Sequence, residues 1–148
     1  MSMDISTAGI SAVLQASQTY PAGIAVQGFA EDEAITVDSV QIADLIKSLD
    51  GHGAAYVMQA VYTVNVTLLP NSDTAKRLDF LATAMQSAAK NGKKLDEIRL
   101  VISMPAQNTV ITFTGGILTN YSPLSGIKKA LDNKTYTFKF EECLTAAA

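Results

Sequence analysis

The chain has 148 residues, 48% of them hydrophobic and 17% charged, with a mean hydropathy of +0.19 and a formal net charge of −3. That length suits one domain with a real core, and so small a negative charge excludes a strong pull toward nucleic acid or an anionic membrane. A single cysteine, Cys143, excludes an internal disulfide and a cysteine-built zinc cage, and no run reaches the ~18 apolar residues of a membrane span.

Residues 1–20 are polar, small and weakly patterned. Ile10, Val13 and Leu14 fall on one side of a helical turn, but Ser and Thr interrupt throughout. The segment reads either as an arm ordered by contacts with a neighbouring subunit or as a disordered terminus. With no basic start and no continuous apolar block, no signal peptide is expected. Pro21 ends the arm. Residues 24–30 read as a first strand and 34–38 as a second, joined as a hairpin with Glu31, Asp32 and Glu33 at its tip. Three carboxylates offer the oxygen ligands a divalent cation takes. Adjacent side chains diverge, however, and no glycine shapes a coordinating loop, so a solvated turn is the plainer reading.

Residues 39–53 do not alternate. Val40, Ile42, Leu45, Ile46 and Leu49 fit a short helix or a folded-over loop, closed by a tight turn at Asp50, Gly51, His52 and Gly53. The stretch is long and apolar for a connection. Its side chains need cover, from a subunit interface or from the same molecule's sheets. Residues 54–69 then carry the strongest pattern in the chain. Tyr56, Met58, Ala60, Tyr62, Val64, Val66 and Leu68 are apolar at every second position. The face between them is mixed, with Gln59, Thr63, Asn65 and Thr67. Period two over this length predicts one long strand, buried along one face and ended by Pro70, which has no N–H for the ladder.

A helix is predicted over residues 72–90. Asn71 or Ser72 caps it, and Asp73 sits where the helix dipole favours negative charge. Leu78, Leu81, Ala82, Met85 and Ala89 mark the buried stripe, and Asn91-Gly92 ends it. Three strands follow. In residues 98–104, Ile98, Leu100, Ile102 and Met104 share a face. In residues 109–119, Ile111, Phe113 and Ile117 share one, with a bulge or bend at Gly115-Gly116. In residues 134–142, Tyr136, Phe138 and Phe140 point inward, and a short tail at residues 146–148 is expected to fray. The spacing is too close for parallel crossovers. The expected fold is therefore mainly β: an antiparallel β-sandwich or barrel of about six strands with one flanking α-helix, in a single domain.

No catalytic constellation stands out. His52 is the one histidine and lies in a glycine-rich turn. No serine occupies a nucleophile elbow, and Asp50 is more simply a turn former than a triad member. Glu141 and Glu142 beside Cys143 discourage a reactive thiolate, which leaves the cysteine as a small apolar filler. The glycines lack a phosphate-loop frame. Lys93-Lys94 and Lys128-Lys129 are isolated pairs without interleaved aromatics, and Tyr56 and Tyr62 read as core rather than as a base-stacking platform. No cofactor or metal site is expected, and the pattern points away from an enzyme and toward a structural or interaction protein. Charge is divided unevenly: residues 1–50 hold seven acidic residues against Lys47 alone, whereas residues 51–148 hold ten basic against seven acidic. Copies of such a chain attract one another when stacked. Its high apolar fraction also suggests surface covered by another copy.

The order of these segments resembles the inner tail-tube proteins of contractile-tailed bacteriophages and related phage-tail-like particles, the Hcp-like tube fold. The resemblance rests on Gly28-Phe29-Ala30, the acidic turn and Ala34-Ile35-Thr36-Val37. It continues through Asp50-Gly51, Thr63-Val64-Asn65-Val66-Thr67-Leu68 and Pro70-Asn71-Ser72. Where such proteins carry a polar, charged stretch before the long strand, this chain has Ala54-Ala55-Tyr56-Val57-Met58. The resemblance implies a structural protein of the virion tail, assembled in the bacterial host cytoplasm. It implies homo-hexameric rings closing into a β-barrel and stacking into a tube that conducts DNA without binding it specifically. The partners implied are other copies, the tail sheath, the tape-measure and baseplate proteins, and no membrane. Residues 1–20 would then be an arm onto a neighbour. Residues 39–53 would be an inter-ring loop with contacts at Ile42, Leu45, Ile46, Leu49 and His52, and Gln59, Thr63, Asn65 and Thr67 would face the lumen. A secretion-system tube, a tail terminator, a baseplate ring protein and a small monomeric β-sandwich binding domain are the alternatives, with a His52 hydrolase behind them.

Overall fold

The computed structural model describes residues 10–26, 35–124, 126, 127 and 129–147. Within them lie β1 (Ser11–Ala16), β2 (Tyr20–Ala25), β3 (Ile35–Val37), β4 (Ala43–Lys47), β5 (Gly53–Val57) and β6 (Tyr62–Leu68). Helix α1 (Asp73–Lys90) follows, then β7 (Ile98–Met104), β8 (Thr109–Asn120) and β9 (Lys134–Ala147). Seven strands form one sheet in the order β2-β1-β7-β8-β9-β6-β3, and β4 and β5 form a separate pair. Every pairing is antiparallel, as the short connections require. The fold is thus mainly β with one helix, and it holds more strands than the sequence suggests.

Helix α1 follows its local signals closely. The Ser72 hydroxyl accepts the Ala75 backbone N–H at 3.2 Å, and Asp73 occupies the first turn. At the other end Gly92 takes φ +66, its N–H donates to Ala89, and the Lys93 N–H donates to Ala88 at 2.8 Å. This is the reciprocal pair of bonds that a left-handed glycine permits at a helix end. Ala75, Leu78, Leu81 and Ala82 are buried and Met85 partly so, but Ala89 is exposed: the helix leaves the sheet one turn before it ends. The helix reaches distant strands. Thr74 donates to the Ala25 carbonyl of β2 (3.4 Å), and the Tyr136 hydroxyl of β9 reaches the Ala75 carbonyl (3.0 Å). Because β1, β7 and β8 lie between β2 and β9, the sheet must curl around the helix for both contacts to form. The core fills that concavity with Leu14, Val64, Leu68, Leu100, Phe113, Phe138 and their neighbours.

Several expectations are corrected. Residues 11–16 are a sheet strand, not an arm or a disordered terminus: Ala12, Leu14 and Ala16 are buried while Ser11 and Val13 face out. The part of that segment at residues 1–9 lies outside the described residues. Among the described residues the expected hairpin of 24–30 with 34–38 is not formed: β2 lies on β1 and β3 on β6, at opposite edges of the sheet. The turn that β2 uses is residues 17–19, fastened by buried Asp96, which accepts the Gln18 N–H (2.7 Å) and the Thr19 hydroxyl (2.5 Å). The acidic turn at Glu31, Asp32 and Glu33, with Gly28-Phe29-Ala30, lies outside the described residues. Residues 43–47 are a strand rather than a helix or loop, and residues 54–69 are two strands rather than one. In β8 the bend falls where the glycines predict. Gly115 takes φ +65, and the β7·β8 register slips between Leu100↔Phe113 and Ile98↔Gly116. Past the bend Gly116 and Leu118 face the core in place of Ile117, because the extra residue reverses the alternation. Residues 146 and 147 do not fray but pair with Val110 and Thr109.

Candidate assembly surfaces

β3 and β6 pair as Ile35↔Val66 to Val37↔Val64, and β4 and β5 as Ala43↔Val57 to Lys47↔Gly53. The two pairs are successive parts of one ribbon. Across the gap the Asp38 N–H donates to Thr63 (3.1 Å) and the Met58 N–H to Ile42 (2.8 Å). The ribbon narrows to an irregular waist at residues 38–42 and 58–61, then runs out as a β4–β5 arm with no second layer against it among the described residues. Every residue of β4 and β5 is exposed. The tight turn at residues 48–52 closes the two strands into a hairpin that pairs only with itself.

The turn is well fixed. The Ser48 N–H donates to the His52 carbonyl at 2.8 Å, the Gly51 N–H donates to Ser48 at 3.0 Å, and Gly51 takes φ +90. The Asp50 carboxylate accepts the Ser48 hydroxyl and the His52 N–H. The Ser48 bond, then the His52 bond, hold its pKa below the usual carboxylate value. Ser48, Asp50 and His52 therefore come together, but through the His52 backbone, in a turn lock rather than a triad.

The five residues expected at an inter-ring contact, Ile42, Leu45, Ile46, Leu49 and His52, all lie on this arm or its waist, and all are exposed. Leu45 is 69% exposed, and Val57, not singled out from the sequence, is 86% exposed. Leu45 and Val57 share one face of the ribbon with Ala43 and Ala55, whereas Ile46 shares the other with Tyr56, whose hydroxyl donates to Asp44 at 3.1 Å. The hint for Val57 was its place in the alternating run; the register that pairs it with Ala43 was not readable locally.

Thr63, Asn65 and Thr67 do share one face of β6, the side of the sheet away from the core, because Val64, Val66 and Leu68 take the core side. Their β9 partners are Lys139, Thr137 and Thr135. Thr137 donates to the Asn65 side chain at 2.8 Å, and the Thr67 and Thr135 hydroxyls are 3.2 Å apart. The result is a polar face of hydroxyl and amide groups with the Lys139 ammonium. Gln59 is not on it. It lies in the waist, on an open groove of about 890 Å³ between residues 58–62 and 141–144. Cys143 also lines that groove, and burial raises its thiol pKa.

One buried polar cluster escaped the sequence reading. Lys134, at the start of β9, donates to Asp79 of α1 at 2.5 Å, and the Tyr136 hydroxyl meets the same carboxylate at 2.8 Å. Burial first, and then Asp79, push the Tyr136 phenol far above its ordinary pKa. The only sequence signal was a lysine at a position in phase with the core residues of β9. Among the described residues no group of three or more His, Cys, Asp or Glu is placed to hold a metal, and no helix is long and apolar enough to cross a membrane.

A family profile described as tail fiber protein gp32 matches residues 3–144. No curated protein sequence matches the chain. Among solved structures, a chain of the PVC extracellular contractile injection system, in its sheath/tube terminator, superposes with a TM-score of 0.60 at 8% identity, covering 97% of both chains. A chain of the anti-feeding prophage tube-terminating cap gives 0.59 at 9% identity, covering 100% of this chain and 94% of that one. A chain of the PVC sheath-tube complex gives 0.57 at 8% identity, covering 99% and 95%. At such identities the likeness is one of fold.

Proposed function

The chain belongs to the tail fiber protein gp32 family, and we propose that it is a structural subunit of the inner tube of a contractile tail, with no chemistry of its own. Copies associate as hexameric rings, the rings stack into a tube inside the sheath and above the baseplate, and the lumen takes a tape-measure protein and then DNA. The observation that carries this reading is the β4–β5 arm. A two-stranded ribbon bearing Leu45, Leu49 and Val57 in water is stable only when another surface covers it, and a ring stacked on a ring supplies one. The polar face of β6 and β9 suits a channel wall that lets a polyanion pass, because its hydroxyl and amide groups are neutral and Lys139 is the one cation among these paired residues.

Residues 43–57 are replaceable without strain, since Ile42 and Met58 are already hydrogen-bonded and an Asn-Gly turn joins such ends. We expect that the shortened chain keeps its circular dichroism spectrum, and that negative-stain micrographs show tubes or stacked rings for the full chain but unstacked rings for the shortened one. Tubes of ordinary length from the shortened chain would remove the arm from stacking. A full chain that stays single, alone and in its native particle, would overturn the tube reading. The fold also serves tube terminators, and that second reading predicts rings of the full chain that never stack.

A further inference from the structure

Two ribbons leave the body of the sheet side by side. One is the β4–β5 arm. The other is the far half of β8–β9, where residues 109–114 pair with 142–147. β6 accompanies β9 only from Leu68↔Lys134 to Tyr62↔Phe140. Beyond Phe140, no strand among the described residues pairs with β9 on the side that β6 occupied, and β5 is paired only with β4. Because β4 continues the β3 side of its ribbon, the open edge of β5 continues the edge that β6 turns toward β9. Two open antiparallel edges on one chain are templates for each other.

The gap between them is the groove of about 890 Å³, walled by residues 58–62 and 141–144. It lies where the sheet turns a corner. The β7·β8 register slips there at Gly115. In β9 the core side passes from Phe140 to Cys143 across two exposed residues, Glu141 and Glu142. The waist of the arm sits at the same level. So β8 and β9 turn the corner together, whereas the strand leaving β6 does not follow. Yet its sequence keeps the alternation of β6 without a break through Tyr62, Ala60, Met58 and Tyr56. Continued in step, the β6·β9 register places Val57 opposite Thr145 and Ala55 opposite Ala147.

We infer that the arm has a closed position, in which residues 38–42 and 58–61 act as a hinge and β5 pairs antiparallel with residues 142–147 of β9 in the same subunit. The far sheet is then ordered β8-β9-β5-β4. Closure covers Val57, Val61 and Leu144, all exposed in the open form. It also pairs two rows of backbone donors and acceptors and redirects the apolar tip at Leu49. The inference concerns one subunit and does not need the tube reading: the arm closes or fails to close whether or not rings form.

The test is a disulfide trap in a Cys143→Ser background. Val57→Cys is combined with Thr145→Cys, and separately with Leu144→Cys and Ala146→Cys to allow a one-residue offset at the corner. Val57→Cys with Ala43→Cys, partners already opposite each other, is the control. A disulfide within one chain, seen by mass spectrometry in the free or the assembled protein, is the expected result. A disulfide only between chains, or none while the control pair closes, overturns the inference. Should the variants fail to fold, hydrogen exchange on the unmodified protein decides. Residues 54–60 and 142–147 slowing together by about tenfold or more in one state supports closure, and a 142–147 segment that exchanges as an open edge in every state refutes it.

Discussion

Asp79 and Lys134 form an ion pair whose two halves are buried to different depths, and the difference fixes the order of two mutational effects. The Lys134 side chain is 8% exposed and that of Asp79 is 34% exposed. Asp79→Ala leaves an ammonium in the protein interior beside Leu68, its partner across the ladder, and over the Tyr136 ring face at 5.8 Å. Breaking a buried pair in this way costs about 3–5 kcal/mol, because the surviving charge keeps its desolvation penalty. The gain from placing alanine in the helix returns no more than roughly 0.7 kcal/mol. Lys134→Met instead leaves a carboxylate that still accepts the Tyr136 hydroxyl and reaches water, so its cost lies between the ~0–1 kcal/mol of a surface pair and the buried value, about 1–2 kcal/mol. Urea unfolding followed by circular dichroism, at one fixed protomer concentration so that association does not alter the comparison, gives both numbers. An Asp79→Ala loss smaller than that of Lys134→Met, or below about 1 kcal/mol, would show that the ammonium escapes to solvent and that the cluster does not fasten α1 to β9.

Two further outcomes rest on the same sheet. Gly116→Ala places a methyl group into the buried ring of Phe140, whose Cγ would stand 3.0 Å from it, and the overpacking lowers stability by about 1–3 kcal/mol in the same urea assay; a neutral result means that the ring has another place to go. The raised pKa of Tyr136 means that the folded chain keeps a proton that the unfolded chain releases near pH ~10. Its stabilising effect is full below that pH and is lost as pH rises past it, so alkaline unfolding of a Tyr136→Phe variant should be less steep; equal slopes would place the phenol in water.

The elements legible in the sequence were those whose signals are local. Helix α1 carries its cap at Ser72, its apolar stripe and its terminating Gly92 within one stretch, and the structure places its ends within a residue of expectation. β7 alternates cleanly, as do β8 as far as Gly115 and β9 as far as Phe140, and Gly115 marks its own bend. β1 was hidden because its core side is Ala12, Leu14 and Ala16, two alanines around one leucine, and their period-two pattern is masked by Val13 on the outer face. The partner of each strand was hidden for a different reason. Hairpin logic joins residues 24–30 to 34–38, whereas β2 forms its hairpin with β1, a strand that the sequence did not reveal, and β3 finds the distant β6, leaving β2 and β3 at opposite edges. Of the site, the apolar arm and the polar face of β6 were visible as composition, but not the register that puts Leu45 beside Ala55 and Val57 beside Ala43.

The break within residues 54–69 teaches the most. Nothing in those residues asks for it: the alternation runs through Ala60 and Met58 unchanged, and no glycine or proline interrupts. Alternation states which way side chains point relative to one another and says nothing of which strand lies alongside. The partner decides. β9 runs straight only to Phe140, because Gly115 and Gly116 on β8 leave room for the Glu141 side chain and the Phe140 ring to fold across them. A strand with uniform pattern beside a partner with a corner must either bend with it or part from it. The structure shows parting, and the unbroken pattern is the physical ground for expecting that bending is open to the same residues.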